Sequence, residues 1–459
     1  MKLTINDIFE IETSEIFNPD EFKPVSKVII DSRKVKKKSM FVAIKGNRFD
    51  GHDFVREAVK NGAGAVVINR RKLSEFEDLE IPIVAVKNTL KAYGNIALLW
   101  RRKLKGNVVS ITGSNGKTTT KEILSVLLAE RYRVTKTESN NNNQIGVPLT
   151  ILSANEKTEV LVLEHGTNHF GEIEYTARIA EPDYSIITNI GDSHIKYLKN
   201  RNGVYKEKSA LLEITDALGG TVFINNDDQV LLKNKSKFKN AVTYGFDNSS
   251  DVKGTVTDFT REGNPEINIE GFGKSISVIL PLLGSSNAQN YLSAVAIALK
   301  LGLKKSEILN GTKKIKPVKG RLNLIQRKGF AVIDDTYNSN PQSVKEALDV
   351  LKKIRLYKNR VIILGDMLEL GEKSVELHKK LKSQIKNTKP LIVLTLGKYM
   401  KYLAEELTNT KINSVHFRTR KSLRKFLEKF DLNNMVILIK GSRGMRMEEF
   451  VEQILGKVN

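Results

Sequence analysis

Not one of the 459 residues is cysteine. That excludes disulfides, thiolate nucleophiles and thiolate metal sites, and it fits a reducing cytoplasm. Long apolar runs are missing too: no stretch approaches the roughly 18 consecutive apolar residues of a membrane span, so no membrane insertion is expected. The N-terminus, MKLTINDIFEIETSEIF, scatters charges where a secretory signal would carry an apolar core, so no export signal is expected either. The histidines His52, His165, His169, His194, His378 and His416 lack the close pairing of a zinc site. Acidic residues are in deficit, 52 against 75 basic ones, which leaves a formal charge of +23. Such a surplus admits nucleic-acid binding, or a lysine-rich surface on an enzyme of anionic substrates. The basic residues come in short dispersed groups, RKVKKK and KNKSKFK, with no aromatic stacking motif between them. No nucleic-acid partner is expected.

What is present is an α/β rhythm. Short β-branched runs (NVVSIT, VLVLE, YSIIT, FAVID, RVIILG, LIVLTLG, MVILIKG) alternate with amphipathic, helix-length segments, the pattern of parallel sheets. Each run ends in glycine or polar residues, where an open α/β sheet collects its ligands. Hydrophobic residues make up 40%, enough for several cores. Three blocks are expected: residues 1–86, 87–316, and 317–459, the last opening at KPVKGRLNLIQRKG. No internal repeat is evident.

The stretch VVSITGSNGKTTTKEILSVLL, from Val108 to Leu128, reads as strand, tight turn and helix. It departs from the general phosphate-loop pattern G-x-x-x-x-G-K-[ST], because Ile111 stands where the first glycine belongs. Gly113 and Gly116 still allow the close backbone approach a phosphate needs, and the helix start offers N–H groups and a favourable dipole. Ser114, Asn115 and Thr119 complete the turn. Lys117 is placed for β- and γ-phosphates, and Thr118 for Mg²⁺. The plainer reading is a glycine turn capped by Thr118 or Thr119. Mg²⁺ also needs hard oxygen ligands. Glu164 ends VLVLE, and the next strand runs into NIGDSH with Asp192 and His194, so these ends form a candidate cation shell. Lys206 and Lys208 in GVYKEKSALLE read by default as a solvated helix face.

Taken together, these motifs resemble the Mur ligases, ATP-dependent amide-bond ligases of peptidoglycan synthesis whose loop is written G-[TS]-N-G-K-T-[TS]. The resemblance spans nearly the whole chain: DSRKV…FVAIKGNRFDGHDF, GSNGKTT, NNNQIGVPLT, EHGTNHFGEI, TNIGDSHI, GSSNAQN, KGRLN, DDTYNSNP, LGDMLELG and KGSRGM follow in the family's order. It implies an N-terminal UDP-sugar-binding domain, a central P-loop-type ATPase domain on a parallel or mixed sheet, and a C-terminal Rossmann-like α/β domain. DDTYNSNP and LGDMLELG point to the branch that joins D-Ala-D-Ala to UDP-MurNAc-tripeptide through an acyl phosphate. The DYAHTP and DNPR signatures of the branch that adds the third amino acid are absent.

The resemblance further implies ATP and Mg²⁺ as cofactors, with Thr118, Glu164 and His194 on the metal, and Lys208 as a lysine that becomes carbamylated. It implies Asn287, Arg321 and Asp335 around ATP, Tyr337 and Asn338 at the dipeptide, and Ser32 and Arg33 at the uridine diphosphate. Asn287 also reads as a helix cap, and Asn340 more so, because NPQSVKEALDVLKKI places proline at the first helical position. The chain departs from the family pattern at His165 (usually methionine), at Ser286 (usually histidine) and in EKSALL (usually AKSEI), and Gln144 stands where members vary. A cytoplasmic monomer is expected. The competing readings are the neighbouring dipeptide-accepting ligase, a folate polyglutamate ligase, and a nucleic-acid-stimulated ATPase.

Overall fold

In the computed structural model, which describes residues 1–11, 14–247 and 249–458, the β-branched runs form three separate sheets. The first has five short strands in the order Glu15–Phe17, Ile83–Val86, Ala63–Asn69, Ser39–Val42 and Lys27–Ile29. One face joins Trp100 of the Thr89–Lys103 helix, and Val147, Ile151 and Leu163 of the middle unit, in a single core. The Trp100 indole N–H donates across it to the Ala154 carbonyl at 3.0 Å.

The middle sheet has nine strands. Six run parallel in the order Val134–Lys136, Val160–Glu164, Asn107–Thr112, Tyr184–Ile187, Thr221–Asn225 and Ala241–Gly245. Val252–Phe259 continues the parallel set, and Pro265–Gly271 and Lys274–Ile279 close it antiparallel. The register pairs Ile111 with Glu164 and Thr112 with Ile187. The loop after Thr112 therefore emerges between the two strand ends that carry the candidate metal residues. The Lys117–Leu128 helix that follows turns Ile123, Leu124, Leu127 and Leu128 into the sheet, beside Tyr291, Leu292 and Val295 of the Gly284–Lys300 helix.

The third sheet runs in the order Asn323–Arg327, Phe330–Asp335, Met435–Lys440, Asn359–Gly365, Ile392–Leu396 and Ser414–Phe417, parallel except for its first strand. Helices cover both faces, with Val344, Leu348, Leu351 and Leu403 on one side and Leu423, Leu427, Phe450 and Ile454 on the other. Near-continuous apolar strands such as VIILG and VILIK belong to sheets buried on both faces. Among the described residues, no helix is long and apolar enough to cross a membrane.

Candidate active site at the facing edges of two sheets

The carboxyl ends of the middle and third sheets meet across a cleft of about 1020 Å³. Its floor is the turn Gly113–Gly116. Gly113 (φ 151°) has no room for a side chain, since a Cβ would lie 1.9 Å from the Thr188 hydroxyl; at Gly116 (φ 81°) it would lie 2.3 Å from Asn290 Oδ1. Both glycines are therefore required by space as well as by backbone angle. Neighbouring polar groups strap the turn down. The Ser114 N–H donates to the Asn189 carbonyl (3.0 Å), the Asn115 N–H to Asn189 Oδ1 (3.0 Å), and the Gly191 N–H to Ser114 Oγ (2.8 Å). Lys117 lies over the turn, its Nζ donating to the Gly113 carbonyl at 2.8 Å. Desolvation lowers its pKa, helped by Arg321 and opposed by Glu164.

Glu164 is only 2% exposed. Its Oε1 accepts from the Thr118 hydroxyl (3.1 Å) and the Asn142 amide (2.9 Å), whereas its buried Oε2 has no hydrogen-bond partner. Behind it the wholly buried Lys121 places Nζ 3.9 Å from Oε2 and donates to the Thr137 carbonyl at 2.6 Å. A buried carboxyl group with one unsatisfied oxygen, beside a hydroxyl, fits a hard cation. His194 sits at the start of a short helical turn in a left-handed conformation, and its Nδ1 makes no hydrogen bond, the nearest carboxylate oxygen being Glu369 Oε2 at 3.4 Å. Burial, then Lys117 and Lys208, bring its pKa down to about 4, so the imidazole is neutral and able to ligate. No group of three His, Asp or Glu side chains is poised for a metal among the described residues. A cation here would complete its shell with phosphate and water oxygens.

The third sheet supplies the opposite wall. Arg321 Nη2 donates to Thr118 Oγ1 at 3.1 Å, and its guanidinium stacks 4.2 Å from the Tyr337 ring centroid. Asp335 is salt-bridged at 2.6 Å to the buried Lys440, which also donates to the Asn338 carbonyl at 2.9 Å. That pair, register neighbours on adjacent strands, fixes the turn carrying Tyr337 and Asn338.

Ser114, Asn115, Gly116, Lys117, Thr118, Thr119, Glu164, His194, Asn287, Arg321, Asp335, Tyr337 and Asn338 all line this one cleft. Ser32 and Arg33 do not. Ser32 is buried, and Arg33, 82% exposed, is held by its own neighbour Asp31 through two hydrogen bonds. Three expectations need correcting, and a fourth holds with an addition. Lys208 is not on a solvated face but 1% exposed, and burial, with Lys117 nearby, pushes its pKa far down; Lys206 is the exposed one. Asp192 is taken by Arg201 in a bidentate pair (2.9 and 3.0 Å). Asn287 is no cap: it lies within the first helical turn, its amide donating to the Leu283 carbonyl at 2.9 Å. Asn340 does cap its helix, through Ser343 N–H at 2.8 Å, yet its amide also reaches Asn115 Oδ1 at 2.8 Å.

Sequence reasoning missed Asn290, Lys121 and Lys440. Asn290 stands one helical turn beyond Asn287, and that i, i+3 spacing on a helix facing the loop was the available signal.

Three family models match in succession: the Mur ligase family catalytic domain over residues 24–101, the Mur ligase middle domain over 111–298, and the Mur ligase glutamate ligase domain over 320–443. The UDP-N-acetylmuramoyl-tripeptide–D-alanyl-D-alanine ligase of Bacillus subtilis (strain 168) is 34% identical over 459 residues, covering 99% of each chain. A crystal structure of MurF from Acinetobacter baumannii superposes with a TM-score of 0.90 at 29% identity and 99% coverage of both chains. MurF ligase from Thermotoga maritima in complex with ADP gives 0.83 at 28% identity, covering 93% of this chain and 96% of that one. With the phosphate turn, the two-sheet cleft and full-length similarity in agreement, the chain belongs to the Mur ligase family.

Proposed function

We propose that this chain is an ATP-dependent ligase that joins D-alanyl-D-alanine to the terminal carboxylate of a UDP-N-acetylmuramoyl-tripeptide through an acyl phosphate. The observation that carries the reading is the convergence of Ser114–Thr119 of the phosphate turn and Glu164 with Arg321 and Asp335 from a different sheet, in one cleft. It is supported by full-length similarity to proteins named for that reaction, one of them solved with ADP. The division into 1–86, 87–316 and 317–459 belongs to the same proposal, with one sheet in each part.

The turn's N–H groups and Lys117 would hold the β- and γ-phosphates, and Arg321, reaching over from the facing sheet, would meet charge gathering on the transferred group. Asn287, with Asn290 behind it, would face the nucleoside. Thr118, Glu164 and His194 would hold Mg²⁺, which when bound supplies charge neutralisation on the phosphates. Lys208 is buried, and desolvation with Lys117 nearby lowers its pKa, which favours the uncharged amine that carbamylation needs. Tyr337 and Asn338 line the acceptor side. Ser32 and Arg33 remain proposed for the uridine diphosphate by resemblance alone. A second hollow, at the seam between the first and middle parts and lined by Lys45, His52, Arg71, Lys72 and Lys87, offers a more basic surface for it.

The test is phosphate release with ATP, Mg²⁺, UDP-MurNAc-tripeptide and D-Ala-D-Ala, set against UDP-MurNAc-dipeptide with lysine or diaminopimelate. Turnover is expected only with the first set, and turnover only with the second would overturn the reading. Lys117→Ala is expected to lower kcat on the order of 10²- to 10³-fold, as for loss of one preorganised electrostatic contact. A near-wild-type rate would remove the turn from the mechanism.

A further inference from the structure

The proposed acceptor has two charged ends: an amine that attacks, and a carboxylate that must be held away from the transferred phosphate. Accordingly this inference rests on the proposed reaction. Among the described residues, five Lys or Arg side chains line the cleft: Lys117, Arg201, Arg321, Lys440 and Arg443. Four are engaged. Lys117 lies on the phosphate turn, Arg321 donates to Thr118, Arg201 is clamped to Asp192, and Lys440 is buried against Asp335.

Arg443 differs from them. It follows the Met435–Lys440 strand, its side chain is 68% exposed, and its ion-pair partner Glu448 stands at 3.5 Å, beyond ordinary hydrogen-bond length. The turn beneath it is rigid. The buried Ser442 accepts from the Leu368 N–H at 2.8 Å, donates through its hydroxyl to the Ser339 carbonyl at 3.2 Å, and donates its N–H to the Asp366 carbonyl at 3.1 Å. The Tyr337 ring has two guanidiniums near it, Arg321 at 4.2 Å and Arg443 at 5.9 Å from its centroid. Arg321 is committed to Thr118 at the phosphate turn, whereas the charged contact given for Arg443 is the long one to Glu448.

We propose that Arg443 receives the free carboxylate of the incoming dipeptide, with Tyr337 as the wall against which the alanyl methyls rest. A guanidinium fork matches a carboxylate in two parallel hydrogen bonds, a geometry lysine cannot reproduce.

The test compares D-Ala-D-Ala with its C-terminal amide, in the full-length wild type, Arg443→Gln and Arg443→Lys. In the wild type, the amide is expected to show a KM roughly 10- to 100-fold higher than the acid, the range for a charge-assisted contact. Arg443→Gln is expected to raise the KM for the acid by a similar factor and to erase the preference for acid over amide. Arg443→Lys should fall between them, and KM values for ATP and the UDP-linked substrate should stay within about twofold. A purely structural role would move all three KM values together and leave the acid preference intact. An Arg443→Gln enzyme that still prefers the acid to the wild-type degree overturns the assignment while leaving the reaction standing. A wild type that turns over neither dipeptide form overturns the assignment through the reaction on which it rests.

Discussion

His165, beside the metal-side glutamate, is wholly buried between two hydroxyls: Nδ1 lies 2.9 Å from Thr176 Oγ1 and Nε2 lies 2.9 Å from Ser110 Oγ. The Thr176 hydroxyl donates to helix carbonyls, so its oxygen is left to accept from Nδ1–H, and Ser110 donates to Nε2. The ring is thus satisfied as the neutral species, and burial brings its pKa down to about 3. The sign of the consequence follows from linkage. The unfolded chain takes up a proton at this residue as pH falls through about 6.5, and the folded chain does not until about pH 3. Stability supplied by the neutral ring is therefore complete above pH 6.5 and drains away below it, by at most about 1.4 kcal/mol per pH unit. His194, with a pKa of about 4, adds to the same slope between pH 6.5 and 4. Urea unfolding at pH 7.5 and pH 5 should give a smaller difference in His165→Met than in the wild type. An equal difference in both would remove His165 as a source of acid lability.

At the scale of elements, the Pro341–Lys353 helix shows how one residue can serve fold and site together. Asn340 spends its oxygen on the Ser343 N–H and its amide on Asn115 in the phosphate turn. Two substitutions separate these functions. Asn340→Asp keeps a capping oxygen but puts a negative charge beside the turn, so it should hold its thermal midpoint and raise the KM for ATP. Asn340→Ala should lose about 1 kcal/mol of stability as well. If both variants lowered the midpoint equally, with ATP affinity intact, the contact to Asn115 would have no part in binding. The same helix marks what the sequence could and could not disclose. Its cap was legible because Asn-Pro before an apolar stripe is a local signal, and so were most strands feeding the cleft, because parallel strands buried on both faces read as unbroken β-branched runs; Thr221–Asn225, whose end also lines the cleft, was not among them. The phosphate turn was legible because glycine spacing is local too. The reach of Asn340 to Asn115 depends on which strand ends face each other across separate sheets, the Lys440–Asp335 bridge on which distant strands pair within one sheet, and the burial of Lys208 on which face its helix packs inward. No window of sequence contains that information. Arg33 shows the same limit from the other side: the motif is local, and so is its pairing with Asp31, but whether it meets a ligand is not written in either.

On the scale of the whole molecule, the third domain is held at two places of unlike strength. On one side the contacts are apolar and backbone-mediated. Leu283 joins the Val350 and Ile354 core, the Lys353 ammonium sits 3.8 Å from the Phe259 ring centroid and donates to Ser285 Oγ, and the Arg355 N–H donates to the Arg261 carbonyl at 2.8 Å. On the other side, across the cleft, the contacts are polar and few: Arg321 to Thr118, Asn340 to Asn115, and Glu369 at 3.4 Å from His194. Solvent-facing polar pairs are worth about 0–1 kcal/mol each, whereas burial of several aliphatic side chains is worth more. The cleft side should therefore release first, with the domain turning about the Leu283–Val350 side. All three cleft contacts involve residues proposed for phosphate or metal, so nucleotide should bias the same motion toward closure. The absence of cysteine makes this directly measurable, because a pair introduced at the exposed Lys206 and Glu372 carries spin labels with no background site. Without nucleotide, the distance distribution between them should be broad. With Mg²⁺ and a non-hydrolysable ATP analogue it should narrow to one population, and Glu369→Ala should need more analogue to reach the same narrowing. A single narrow distance, the same with and without analogue, would mean that the polar contacts hold the domains shut unaided and that substrates enter a closed cleft.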